Sequence, residues 1–334
     1  MKPLFIGFLR QREALLALLI AVLIGLVGLR SPQFLGLASL SNLLTDSTLL
    51  IMLALTQMLV IVTRGIDLSV ASNLALSGMM AALLAAGHPG LPLVFVMGAA
   101  AAIGLLLGLV NGYLIGYLEL PPIVVTLGTM SVYRGLVFVL SGGAWVSSNR
   151  MPANFIGFPL ERLFGVTYLV WIAAAAVLLV GFIARSTRFG RDLYAIGNAP
   201  QSARYVGIAS SRRLLGTYGL SGWMAGLCGY LWVARYAVAY TEIAYGFEFT
   251  VIAACVIGGV SIAGGVGSVG GAVLGSLFLA VINNALPIVQ VSPFWQSALT
   301  GAVILTAVLI NARGDKKTGR QILPLRHLSD GSGA

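Results

Sequence analysis

Few of the 334 residues are of a kind that does covalent or metal chemistry, and those few are not spaced for it. The run GVGSVG at 265–270 matches the GxGxxG turn that cradles a dinucleotide. That site needs a strand before it, a helix after it and an acid about 20 residues on. No Asp or Glu occurs between Glu248 and Asp315, so the run reads as a glycine turn between two apolar segments. A phosphate-gripping GxxxxGK[ST] loop is excluded, because no lysine stands between Lys2 and Lys316. His88 and His327 are too isolated for a catalytic pair. Cys228 and Cys255 have no second Cys or His at metal-ligand spacing, so no metal site is expected and both read as packing residues.

What remains is hydrogen bonding and electrostatics within apolar stretches. An ionised side chain at the centre of a membrane helix costs roughly 2.5–3.5 kcal/mol, so each one there has a reason. Asp67, in TRGIDLSVAS, lies in a connection short enough to keep it at the membrane edge. There it pairs with Arg64, caps the helix starting near Ser69, or takes part in gating. Arg134 and Glu248 sit deeper and form a candidate pair. Thr126, Thr129, Ser131 and Tyr133 on one segment, with Asn283 and Asn284 on another, offer hydrogen bonds on the scale of a sugar. Such groups must face protein or a water-filled path, so they read as interhelical bonds or as a substrate path. No chain of acids or histidines crosses the apolar segments, which argues against a proton relay.

The elements that carry these groups are membrane helices. The chain is 58% hydrophobic and 9% charged, against roughly 45–50% and about 25% for a soluble domain. Ten apolar runs are long enough to cross about 30 Å of hydrocarbon: 13–29, 47–63, 69–87, 91–118, 122–141, 166–184, 214–236, 248–263, 269–286 and 294–311. The expected fold is an all-α polytopic membrane protein, with one transmembrane domain over 1–312 and a cytoplasmic tail over 313–334. The first run has no convincing cleavage site after it and is expected to stay as an anchor. With both termini cytoplasmic, fifteen of the twenty basic residues fall on the inner side. The net charge of +10 is thus explained by topology, and a nucleic-acid partner is excluded. A shift of 167 residues carries Ser47 onto Leu214, and Gly104 and Gly108 onto Gly271 and Gly275. Five crossings separate these positions, so spans 2–5 and 7–10 read as an inverted repeat, with chance spacing as the alternative. Gly104, Gly108, Gly112 and Gly116 form a small-residue stripe on which another helix can pack.

One long polar stretch, 185–213, interrupts this pattern with six arginines against a single acid, Asp192. Its charge makes it cytoplasmic. Within it, FGRDLYAIGNAPQSARYVGI at 189–208 resembles the coupling loop of sugar ABC-importer permeases of the ribose, rhamnose and autoinducer-2 type. GIDLSVAS at 65–72, PPIVVTLGTMSVYRG at 121–135 and GGVSIAGGVGSVGGAVLG at 258–275 are similar to the same family at corresponding places.

The resemblance implies a permease subunit in the bacterial cytoplasmic membrane, surrounded by lipid and paired with a second copy or a homologue. Cytosolic ATPase subunits would use ATP and Mg below it, and an extracytoplasmic sugar-binding protein would deliver substrate. The chain itself would bind no cofactor and catalyse no reaction. Arg188, Gly190, Arg191, Gly197, Asn198, Ala203, Arg204 and Gly207 fall in the loop that would couple to the ATPase. By residue type, Gly190 and Gly197 permit turns, Asn198 caps a short helix begun by PQSARYVG, and Arg191 and Arg204 bond acids on the partner. Transport would run by alternating access, with the loop passing ATPase movement to the spans. An ATP-independent secondary transporter or channel is the alternative, and a membrane-embedded enzyme a third class.

Overall fold

The computed structural model describes residues 12–288 together with Trp295, Ala298, Gly301, Ala302 and Leu305. The chain enters as α1 (Arg12–Arg30), turns through a short 3-10 segment, and continues as α2 (Leu37–Val62), α3 (Val70–Gly87), α4 (Leu93–Gly116) and α5 (Pro122–Ser141). A connection with the one-turn α6 (Ala153–Gly157) leads to α7 (Tyr168–Ser186). Then come α8 (Arg188–Asn198), α9 (Pro200–Tyr205), α10 (Ser210–Tyr236), α11 (Phe247–Ile257) and α12 (Val269–Ile288). Two minimal antiparallel pairs tie connections together: β1 (Val146–Ser147) joins β4 (Val238–Ala239), and β2 (Arg162–Leu163) joins β3 (Val166–Thr167).

Among the described residues, α1, α2, α3, α4, α5, α7 and α12 are the seven helices long and apolar enough to cross a bilayer. The other three expected crossings differ. The run 214–236 is a helix, α10, but its two serines and two arginines at one end and five glycines along its length dilute its apolar character. The run 248–263 is helical only over α11, whose 11 residues rise about 16 Å, too little for a bilayer core. Beyond α11 the backbone breaks at Gly259, Gly264 and Gly265, all at positive φ. The run 294–311 lies outside the described residues except for the few named above.

Packing explains the composition of α10. It is the helix on which α4 and α3 close, and it also touches α2. Its glycines form the seam: a Cβ at Gly104 would fall on the Gly222 carbonyl and the Gly226 backbone, and one at Gly108 on the Tyr218 carbonyl. Gly112 and Gly116 continue the contact against Leu215 and Ser211, so the stripe read from the sequence is a packing face along its whole length. The supposed counterparts Gly271 and Gly275 do not repeat this arrangement. They meet Ala254 of α11 and Gly258 just after it rather than α2.

At the centre, α2 is enclosed by α7, α10, α11 and α12 and is buried from Ser47 to Val62. Asp46 on α2 pairs with Arg235 at the far end of α10. Arg134 makes no direct ion pair with Glu248. Its guanidinium donates to the carbonyls of Ile243 and Ala244 and lies over the Tyr245 ring at 5.5 Å. Glu248 is buried at 6% exposure, with no ion pair among the described residues.

Candidate functional site

The polar stretch folds into an arm of two helices, α8 and α9, between α7 and α10. Thr187 begins α8 as its N-cap, its Oγ accepting the Gly190 amide at 3.1 Å. The buried positions Gly190, Leu193, Ile196 and Gly197 recur at helical spacing on one face, while Arg188 and Arg191 stand on the exposed face. The arm residues singled out by the sequence therefore divide. Gly190, Gly197 and Ala203 are buried, whereas Arg188, Arg191, Asn198, Arg204 and Gly207 are exposed.

Several expected roles change. Gly190 and Gly197 are not turn residues but interior helix positions, chosen for close approach. A Cβ at Gly190 would strike the carbonyls of Ile183 and Ala184, and one at Gly197 would strike the Val62 carbonyl and the Gly265 amide. Asn198 ends α8 and does not cap α9, whose N-cap is Ala199 with Pro200 after it. Of the arm's arginines, Arg204 bonds an acid of its own chain, Glu119 at 2.8 Å, and Arg191 donates to the Ser186 carbonyl at 3.3 Å. Among Gly190, Gly197 and Gly207, only Gly207 has the left-handed backbone, at φ 81°, and it closes the turn after α9.

The arm sits on two turns that lead directly into the bundle. The turn between α2 and α3 contributes Arg64, whose Nε donates to the Gly197 carbonyl at 2.7 Å and whose Nη2 donates to the Asn198 carbonyl at 3.1 Å. These are terminal carbonyls of α8, where orphan acceptors and the helix dipole favour a cation. Arg64 itself has φ 67°, a strained backbone held in place by these bonds. The turn between α11 and α12 contributes Gly265, whose amide donates to the Val62 carbonyl at 2.9 Å. It also contributes the Gly267 carbonyl, which accepts from the Tyr194 hydroxyl at 2.9 Å. Burial against that turn raises the Tyr194 phenol above its ordinary value, and the Arg185 charge draws it partly back. From the other side, Arg213 of α10 grips Asp192 at 2.7 Å and stacks over Phe189 at 5.7 Å. Beside the arm, a cavity of about 690 Å³ is bordered by Arg64, Glu119, Arg204 and the start of α10.

Just inside the first turn lies a buried polar cluster. Asp67, 3% exposed, does not pair with Arg64, which faces the arm. Its Oδ1 accepts the Ser69 amide at 2.9 Å and the Ser69 hydroxyl at 2.6 Å, fastening the start of α3. Its Oδ2 accepts the Ser221 hydroxyl of α10 at 3.2 Å, and Asn111 of α4 donates to Ser69 Oγ at 2.8 Å. Asn111 and Ser221 were not singled out by the sequence reading. Asn111 was legible as a lone amide within the glycine stripe, while Ser221 carries no such mark. Gln57 of α2 was also missed, although it is fully buried with neither amide atom bonded among the described residues.

The polar groups proposed for a substrate path are separated. Thr126 donates to the Ile66 and Pro122 carbonyls, Thr129 to the Thr126 carbonyl, and Tyr133 to the Leu107 carbonyl at 2.8 Å. Asn283 is half-buried, and Asn284 donates to the Ala280 carbonyl at 3.0 Å. Helix α5 packs on α3 and α4, whereas α12 packs on α1, α2, α7 and α11, so the two sets stand on helices with different packing partners. Among the described residues no three His, Cys, Asp or Glu side chains are grouped to hold a metal.

Residues 39–308 match the family model of the branched-chain amino acid transport system / permease component. The chain is 33% identical over 307 residues to the autoinducer 2 import system permease protein LsrC of Escherichia coli O9:H4 (strain HS), covering 92% of this chain and 89% of that protein. It is 34% identical over 326 residues to the galactose/methyl galactoside import permease protein MglC of Escherichia coli (strain K12), covering 93% and 96%. The same-named Haemophilus influenzae protein is 34% identical over 319 residues, covering 91% and 94%. No solved structure matches the chain.

Proposed function

Because the chain belongs to the family of branched-chain amino acid transport system permease components, we propose that it is the membrane-spanning permease subunit of an ABC importer for a sugar-like solute. The substrate class rests on relatives named for autoinducer 2 and for galactose and methyl galactoside import. The single observation that carries the reading of the arm is its construction. A polar two-helix projection is fastened at its base to the turns that begin α3 and α12, yet it leaves its tip outside the fold. Tyr205 and Val206 at that tip are 90% and 76% exposed, flanked by the exposed Arg204. An apolar tip with basic neighbours suits a soluble protein partner rather than lipid or empty solvent.

On this reading the arm is cytoplasmic, and Arg188, Arg191, Arg204 and the tip meet an ATPase subunit that binds ATP and Mg. A binding protein delivers solute at the opposite face, and a second permease copy or homologue completes the complex. Both termini lie on the inner side of the bacterial inner membrane, which the seven long apolar helices and α10 cross, and Thr126, Thr129, Tyr133, Asn283 and Asn284 are candidates for the solute path. The inverted repeat gains support from packing. Exchanging α2 with α10, α3 with α11 and α4 with α12 carries packed pairs onto packed pairs, α4–α10 onto α12–α2, α3–α10 onto α11–α2, and α3–α4 onto α11–α12. Two such halves rocking about the α2–α10 contact give alternating access.

The test is ATP hydrolysis by the purified complex. Arg191→Glu and Gly197→Pro are expected to insert in the membrane normally while losing binding-protein-stimulated hydrolysis. Full stimulation in a correctly assembled variant would reject the docking role. Solute accumulation by the isolated chain under a gradient alone would favour a secondary transporter.

A further inference from the structure

Arg64 and Asp67 stand three residues apart in one turn and face opposite ways. Arg64 holds the end of α8 through two carbonyls, and Asp67 holds α10 through Ser221 and α4 through Ser69 and Asn111. The turn between them is short and stiffened, with the amides of Thr63, Arg64 and Gly65 bonded back to the Val60 and Ile61 carbonyls at 2.9–3.1 Å. A displacement of α8 therefore reaches Asp67 without being absorbed. The carboxylate lies away from water with no cation within ion-pair distance among the described residues, so its position is set by its hydroxyl and amide donors.

Two features of α10 make this contact switchable. The Ser221 bond, at 3.2 Å, is the longest that Asp67 makes, and Ser221 adjoins Gly222, where α4 meets α10. One helical turn away, the Tyr218 hydroxyl is fully buried with no hydrogen-bond partner among the described residues and lies against Gly65, two residues from Asp67. A buried hydroxyl without a partner is costly, and a second arrangement that satisfies it offsets that cost.

We infer that Asp67 is the positioning residue through which arm movement enters the bundle, exchanging the Ser221 hydroxyl for the Tyr218 hydroxyl as α10 shifts between the two transport states. This rests on the importer reading. The test uses the full complex in vesicles with Tyr236→Cys at the far end of α10, a half-exposed site, while the native Cys228 and Cys255 are buried. The probe is a membrane-impermeant maleimide, applied with and without trapping by ATP and vanadate. The parent complex is expected to change its labelling rate several-fold on trapping. Adding Tyr218→Phe removes only an unbonded oxygen, so the complex should assemble and trap nucleotide normally, yet keep the nucleotide-free labelling rate. Adding Ser221→Ala should give the trapped rate even without nucleotide. A Tyr218→Phe complex that responds as the parent does would overturn the switch. A parent complex that traps nucleotide without any change in labelling would overturn the importer mechanism itself.

Discussion

At the residue scale, the arm is held by contacts that tolerate little change. Arg64→Ala removes two charge-assisted bonds to the end of α8, each of a kind worth about 1.5–3 kcal/mol. A lower unfolding temperature and faster proteolysis between α8 and α10 are expected in detergent, and an unchanged cleavage pattern would count against the anchor. Gly197→Ala should be more damaging to function than its size suggests, because the added methyl group meets the Val62 carbonyl and Gly265 amide at once. By contrast Arg204→Ala should leave stability within about 1 kcal/mol, since the Arg204 and Glu119 side chains are 64% and 65% exposed. Any loss of hydrolysis in that variant would then report partner contact. The polar stretch that folds as the arm was legible in the sequence, but the contacts of its residues were less so. Composition marks a glycine as permissive without saying whether a turn or a close neighbour requires it, and Gly197 needs the neighbour. Asp67 was readable as a helix-starting acid, while its bond to Ser221 spans 154 residues and leaves no local trace.

At the element scale, α10 organises the bundle through small residues. Gly108→Leu should abolish assembly, because a side chain there must displace the Tyr218 carbonyl and Gly222, and the yield of monodisperse protein measures it. Gly128→Ala on α5, where nothing lies within 4 Å of the added carbon, should assemble as the parent does. Equal yields from the two would remove the packing account of the stripe. The stripe on α4 was visible because four glycines recur at helical spacing, and long apolar helices such as α2, α4 and α7 were visible from length alone. Helix α11 was not, since the apolar run continues through Val260 and Ile262 after the helix has ended at glycine-rich backbone.

At the scale of the whole molecule, the arm and the bundle form one mechanical unit, with the turns at 63–69 and 258–268 as the joints. A partner that moves α8 acts on the turns before α3 and α12 together, because Gly265 and Val62 are bonded to each other beneath it. Topology is checked by cysteines at Val206 and Phe164, exposed at 76% and 88%. Impermeant reagent added outside intact cells should label the second and spare the first. The central claim is that the arm seats a separate ATPase, and photo-crosslinking from Val206→Cys within the native complex tests it most directly. The expected product is a single adduct to a co-purified ATP-hydrolysing subunit, lost when Arg188 and Arg191 are both changed to Glu. A fully coupled complex whose ATPase crosslinks elsewhere and never to this tip would contradict the account.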